Sequence, residues 1–356
     1  MALRSLLKKE LHWSRHNVLA LLFVLLLLPA TLAGASVAFQ HVIPRDAPVA
    51  VTPQDPTVTG DDLTIIEGGV TLFSDPEVVD STAEARTMLG REEYYAVLQV
   101  PPNITDGSET NATFVLYVDG SIVPFTEASK AIRNVMGFWL QRLLPANTNV
   151  ERVVVGEPNT LSEFLVPIAL MGIVLLLAFT YVPYNLDKES NVLDRLRVES
   201  SLESVVTAKL VYFAALLVVP ILVVHGAATY LGYQVATLAP LGVATLLLTF
   251  VYLTAISTSV MILTKFGTIG RFVNVIFLFS LLAFSGLAYP VGYFSPLRKA
   301  IVRLVPVHYS MILTRSAMMK DLDPGVFADW LVGLVGVTVV CLLVLKLSAV
   351  YYRRTI

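Results

Sequence analysis

SGLAYPVGYFSPLRKAIVRLVPVHYS, residues 285–310, lies between two long apolar stretches and holds three prolines, two glycines and three cationic side chains. Pro290, Pro296 and Pro306 each remove a backbone donor and block a continuous helix. Yet Leu297, Ile301, Leu304 and Val305 keep a helical period between two of these prolines. Broken backbone survives at membrane depth only where protein or a water-filled cavity covers it. The segment therefore predicts a re-entrant helical hairpin over 289–320, which turns back before leaving the membrane. Arg298, Lys299 and Arg303 would then lie at headgroup level. The rival expectation is an amphipathic loop outside the membrane.

The rest of the chain supplies that membrane. It is 55% hydrophobic and 15% charged, with a mean hydropathy of +0.71. Soluble domains sit near 45–50% apolar and about 25% charged. About 20 residues at 1.5 Å each are needed to cross ~30 Å of hydrocarbon. Stretches 17–39, 163–183, 210–231, 237–263, 272–288 and 329–351 qualify as spans, the fifth being short. The first could instead be a cleaved signal peptide, but its apolar run is long for one. Glu163, Lys209 and Lys346 sit near span ends, where they can snorkel.

Charge orients the spans. Arg4, Lys8, Lys9 and Arg15 precede the first, and Lys188, Arg195, Arg197 and Lys209 separate the second and third. Lys265 and Arg271 separate the fourth and fifth, and Arg353 and Arg354 end the chain. All fall on one side if both termini are cytoplasmic, with residues 40–162 outside the plasma membrane and 352–356 a cytoplasmic tail. Residues 39–162 carry 17 Asp/Glu against 7 Lys/Arg, and the remainder 10 against 18. The two parts face different surroundings. The acidic exterior would also suit a high-salt habitat. The single cysteine, Cys341, sits in an apolar run and reads as a small buried hydrophobe.

The exterior segment is long enough for its own core. PVAVTP, LTIIEGGVTLF, YYAVLQV, ATFVLYVD and VERVVVG read as strands. Residues 80–90 and 125–144 read as helices, the second with apolar positions at 132, 135, 136, 139, 140 and 143. Strands interleaved with helices predict an α/β domain. Asn103 and Asn111 head N-x-[ST] tripeptides and are candidate N-glycosylation sites. The adjacent pairs Asp61-Asp62 and Glu92-Glu93 read as solvated surface, and no His, Asp or Glu set has metal-ligand or catalytic spacing.

Residues 1–16 place Leu3, Leu6, Leu7 and Leu11 on one helical stripe beside Lys8 and Lys9, with Trp13 as an interfacial anchor. In 184–209, Val192, Leu193 and Leu196 line one side of a predicted helix and charges of both signs cover the other. Mixed charge suits docking to a protein more than binding to anionic lipid.

These features together resemble the permease subunit of type-2 ABC exporters, in the subgroup with a large extracellular domain between the first two spans. LLKKEL (6–11) is similar to that family's connecting helix. Lys188, Glu189, Asn191, Val192, Leu193, Asp194, Arg195 and Leu196 are similar to its coupling helix, although Asn191-Val192-Leu193 replaces the usual Gly-Thr-Leu step and a common loop proline is absent. Ser285, Gly286, Pro290, Pro306 and Arg315 match its re-entrant gate. EYYAVLQVPP (93–102) and YVDG (117–120) resemble the ectodomain of the subgroup. The resemblance implies a polytopic α-helical membrane protein of six transmembrane helices, with an N-terminal amphipathic helix and a re-entrant hairpin between helices 5 and 6. It also implies a homodimer of permeases in the lipid bilayer, docked on two cytoplasmic ABC ATPase subunits that carry the ATP and Mg. The chain itself would then need no cofactor, catalyse no reaction and bind no nucleic acid. No G-x-x-x-x-G-K-[ST] sequence occurs in it, so in an ATP-driven system the nucleotide site belongs to another chain.

The implied substrate path lies at the dimer interface, lined by spans two and five, with Thr180, Tyr181, Asn274 and Ser280 as candidate polar lining beside Ser285. His225, within the third span, reads as an interhelical hydrogen-bonding residue rather than a proton relay. Two other classes compete. A membrane-anchored sensor or assembly protein would bind a ligand through its extracellular domain. A secondary transporter would show inverted repeats, and none relates the two halves.

Overall fold

The computed structural model describes residues 47–72, 74–104, 111–144, 147–188, 202–287, 291, 294, 296–320 and 322–355. The predicted amphipathic helix and first span, 1–39, lie outside the described residues.

The α/β domain is a five-stranded sheet in the order β2-β1-β3-β4-β5. Its strands are β1 (Pro48–Pro53), β2 (Asp75–Val78), β3 (Ala96–Val100), β4 (Asn111–Asp119) and β5 (Asn147–Val155). Only the β3/β4 pair is antiparallel; β1/β2, β1/β3 and β4/β5 are parallel. The three parallel crossovers run through α1 (Gly60–Val70), α2 (Thr82–Gly90) and α3 (Val123–Leu143). Right-handedness of such crossovers decides which face each helix covers. The β1→β2 and β2→β3 connections step in opposite directions, so α1 and α2 fall on opposite faces. The β4→β5 step starts from a reversed strand, which returns α3 to the face of α1. The cores agree. Ile66 and Val70 of α1 pack with Ile132, Met136 and Leu140 of α3, while Ala85 and Leu89 of α2 pack with Ala50 and Val97 on the other face.

One expected strand is a helix. LTIIEGGVTLF falls mostly in α1, because Thr59 opens a capping box with Asp62 and Ile66 and Val70 stack one turn apart on the sheet. Of its β-branched residues Ile66 and Val70 are buried on the face toward the sheet, while Thr64, Ile65 and Thr71 are exposed. Asp62, expected at the surface, is buried by that box.

Four helices among the described residues are long and apolar enough to cross a membrane: Leu161–Lys188, Leu202–Tyr230, Pro240–Leu263 and Pro324–Arg354. We label them by regular segments: α4 (Leu161–Leu176, continued by a π-helical turn at Leu177–Tyr181), α5 (Leu202–Leu216), α6 (Val218–Tyr230), α7 (Pro240–Leu263) and α11 (Ala328–Thr355). A shorter apolar helix, α8 (Thr268–Phe284), takes the place of the expected fifth span. The α5/α6 break at Leu217 follows from Pro220, which has no N–H for the carbonyl of Leu216. The central helix is α7, packed against α4, α5, α8, α10 and α11. Its Thr245, Thr249 and Ser259 hydroxyls donate to carbonyls four residues earlier and so present no open polar group, whereas the buried Thr254 hydroxyl has no hydrogen-bond partner.

Between α8 and α11 the chain forms two short helices, α9 (Pro296–Arg303) and α10 (Pro306–Met319). The prolines act at the first position of each, where a missing N–H costs nothing. α8 stops at Ser285, followed by Gly286 at φ +68°, a left-handed helix stop. α10 is antiparallel to α7. The Ala236 N–H donates to the Met318 carbonyl at 2.8 Å, and Tyr252 Oη lies 3.1 Å from Ser310 Oγ. From Gly242, which abuts Met318, to Tyr252 is about 15 Å along α7, roughly half a hydrocarbon thickness.

Candidate functional site

The densest set of charges lies where the α/β domain sits on α10. Glu92, in the tight turn between α2 and β3, adopts φ 60°, and its side chain points into the seam. Its Oε1 is 3.5 Å from Arg315 Nε and 3.4 Å from Lys320 Nζ. Lys320 Nζ also lies 2.7 Å from Asp119 Oδ2 and donates to the Gly90 carbonyl at 2.9 Å. Asp119 Oδ1 accepts from the Ser121 N–H and hydroxyl, which fixes the carboxylate's direction. All four charged side chains are 8% exposed or less. Two acids and two bases make the cluster formally neutral, as a desolvated site requires. Arg315 is only 2% exposed, with its guanidinium 5.0 Å above the Phe164 ring of α4. One residue of α10 thus touches both the domain turn and a long apolar helix.

A second, more exposed set flanks it. Arg91 pairs with Asp329 at 2.7 Å and Glu93 at 2.8 Å, donates to the Val326 carbonyl, and lies 4.5 Å above the Trp330 ring. Leu322 presses on Gly90, where an added Cβ would sit 2.9 Å from its Cδ1. Nearby Tyr94 donates to Glu77 Oε2 at 2.7 Å. Burial and that carboxylate push the Tyr94 phenol well above its ordinary range, so it remains a donor.

Glu92 corrects the sequence reading. Glu92-Glu93 was expected as solvated surface; a turn rather than a strand carries the pair, and only Glu93 stays at the rim. Glu163 also departs from expectation. Rather than snorkelling, it is buried, closing a capping box with Thr160 and accepting from the Gln234 N–H at 2.7 Å.

Within the helical part, the candidate lining residues divide. Asn274 is fully buried and donates to the Ser257 carbonyl at 3.1 Å. Ser257 in turn donates to the Ala178 carbonyl at 2.5 Å. The π-helical turn at 177–181 displaces the ordinary ladder there. Asn274 thus ties α8 to α7, and Ser257 ties α7 to the π-helical turn that continues α4, while Asn274 Oδ1 is buried without a hydrogen-bond partner. Thr180 hydrogen-bonds back to the Leu176 carbonyl. Tyr181 is about half exposed and edge-on to Phe213, and Ser280 is half-buried. His225 was expected to bond between helices; its Nδ1 lies 2.7 Å from Oγ1 of Thr237, which belongs to the connection between α6 and α7 rather than to a helix.

The remaining candidates fall as follows. Ser285 is buried beside Gly286, and its carbonyl lies 3.3 Å from His308 Nδ1. Pro306 starts α10. Pro290 lies outside the described residues, as do Glu189, Asn191, Val192, Leu193, Asp194, Arg195 and Leu196 of the coupling segment. At the near edge of that segment, the Lys188 ammonium lies 5.6 Å above the Tyr184 ring. Arg271 sits above the same ring and pairs with Asp187 at 3.1 Å. Asn103 and Asn111 are both exposed, the second accepting from Asn147 Nδ2.

Sequence reading missed Glu92, Asp119 and Lys320. The available signal was the contrast between a basic end on 315–320 and an acidic domain, but pairing acids with bases more than 190 residues apart needs the fold. Among the described residues no group of three or more His, Cys, Asp or Glu side chains could hold a metal ion. The profile of a family described as ABC-2 family transporter protein matches residues 18–346. No curated protein and no solved structure matches the chain.

Proposed function

The chain belongs to the ABC-2 family of transporter proteins, and from that premise we propose that it is the permease of an exporter driven by ATP hydrolysis on separate subunits. Membership of the family makes it a membrane subunit of an ABC transport system. The rest is our reading, and the family match over nearly the whole chain is the observation that carries it.

Two copies of the chain form a homodimer, and each docks one cytoplasmic ATPase that holds ATP and Mg. ATP-driven closure pushes the segment 184–209, with Lys188, Glu189 and Asn191 through Leu196 as the coupling surface. The push passes along the long helix 161–188. Substrate moves outward between the faces of Leu161–Lys188 and α8 from the two copies, where Tyr181, Ile276 and Phe277 are exposed in the single chain. The hairpin α9–α10 is the outer gate, with the α/β domain above it outside the cell. The run of α10 down to Tyr252 supports a re-entrant reading. The cluster at Arg315 supports a gate whose position the domain senses.

Co-purification with candidate ATPases, together with transport in proteoliposomes, tests this. An associated ATPase and loss of transport on charge reversal at Asp194 and Arg195 are expected. No associated ATPase, with transport unchanged by the reversal, would remove the coupling assignment.

A further inference from the structure

Two concavities meet at Trp330. One is a cleft of about 570 Å³ between the domain and the hairpin, within the roughly 300–1,000 Å³ usual for small-molecule sites. To its lining α9 contributes Lys299 and Arg303, and the α/β domain contributes Asp75 and Glu77 of β2 together with Glu92 and the Arg91–Glu93 pair, an acidic balance. The other concavity is a mostly apolar groove of about 330 Å³ along the start of α11, lined by Leu304, Gly333, Leu334 and Val337. Tyr309 and Trp330 line both, with rings edge-on at 5.1 Å. Tyr309 donates to the Arg303 carbonyl at 2.8 Å, tying the aromatic pair to the end of α9.

A cleft lined by basic and acidic side chains, opening through a Trp/Tyr pair into an apolar groove, has the polarity of an amphiphile. Tryptophan and tyrosine sit at such a boundary for the same reason that they sit at headgroup level in bilayers. Leu297 of α9 and Leu304 just after it point outward, 75% and 82% exposed, which in an aqueous setting would be costly and at a lipid surface is favourable. The acids argue against a purely anionic ligand. Asp75 and Glu77 are exposed, so an anion entering beside them meets like charge, whereas a zwitterion satisfies both signs of charge.

We propose that this paired cleft and groove binds one zwitterionic phospholipid from the leaflet on the domain's side. Its phosphate faces Arg303, its ammonium faces Asp75 and Glu77, and one acyl chain lies over Gly333. The site belongs to a single chain and does not rest on ATP coupling or on which side of the membrane the domain occupies.

Native mass spectrometry of the purified full chain tests it, titrating phosphatidylethanolamine, phosphatidylglycerol and chain-free glycerophosphoethanolamine. Phosphatidylethanolamine should bind about fivefold more tightly than phosphatidylglycerol, the scale of one exposed charge contact. The chain-free headgroup should compete poorly. Gly333→Phe fills the groove, and a Cβ at Gly333 meets nothing within 4 Å, so this variant should fold normally and lose about tenfold in lipid affinity through lost apolar contact. Arg303→Gln should lose about fivefold. Equal binding of the two lipids, or unchanged binding in Gly333→Phe at an unaltered melting temperature, would overturn the proposal. So would efficient crosslinking of Gly333→Cys between two copies, which would make the groove a protein interface. An ATPase-free preparation serves, so failure here leaves the exporter reading standing.

Discussion

Glu92 and Arg315 show how one side chain can join two structural units. A buried ion pair contributes little net stability against an apolar alternative, but breaking one strands the partner's charge. Glu92→Gln should therefore lower unfolding stability by about 3–5 kcal/mol, read as a drop in melting temperature in detergent. Adding Arg315→Met to that variant should cost less than the sum of the single changes, since the cation that faced Glu92 is gone, whereas Lys320 keeps Asp119. A hydroxyl with a structural role gives a smaller effect. Ser257→Ala leaves the Ala178 carbonyl without its donor and should cost about 1–3 kcal/mol, measured the same way. At this scale the sequence was only partly legible. Arg315 was singled out only through the resemblance to the family's re-entrant segment, not by any feature of MILTRSAMM itself. The identity of its partner could not be read, since Glu92 and Glu93 are chemically alike and only the turn at φ 60° turns one inward.

Elements were more legible than their partners. Helix ends at 285–286 and the starts of α9 and α10 follow from glycine and proline, whose backbone limits are local. The helix α1 was misread because β-branched residues in a short window fit a strand or a buried helix face equally well. The decisive signal was the Thr59/Asp62 cap, three residues apart. The proposed gate turns on the pairing of α10 with α7. A Cβ at Gly242 would lie 3.5 Å from the Ala317 Cβ, within the ~3.5–4.5 Å that a disulfide requires. The double variant Gly242→Cys/Ala317→Cys should crosslink under oxidation. If α10 gates the path, oxidised protein should lose transport and regain it with reductant. Full transport in fully crosslinked protein would show that α10 stays against α7 throughout the cycle.

At the scale of the molecule, an α/β domain with its own core stands on an all-helical unit, and the contact between them is ionic rather than apolar. Arg91–Asp329, Glu92–Arg315 and Asp119–Lys320 span the seam. Replacing residues 47–157 by a short Gly/Ser linker should therefore do more than delete a binding surface. It leaves Arg315 and Lys320 without carboxylates and should lower the melting temperature of the helical unit. Arg315→Met with Lys320→Met in the shortened chain should recover part of the loss. No recovery would mean that the seam's charges are independent of the helical unit's stability.

The chain's membrane character, the placement of its apolar helices from 161 onward and the proline-set breaks of the hairpin could be read from residues in order. Each depends on hydropathy or backbone limits within a window of about 20 residues. The charge contrast between residues 39–162 and the remainder was equally plain, because it is a count. Only the tertiary structure decided that Glu92 rather than Glu93 is buried, that Asn274 and Ser257 link three helices in series, and that Lys299 and Arg303 share a cleft with Asp75 and Glu77. Those outcomes depend on groups far apart along the chain, 238 residues in the case of Arg91 and Asp329. Desolvation gives such pairs their energetic weight only after the fold has brought them together.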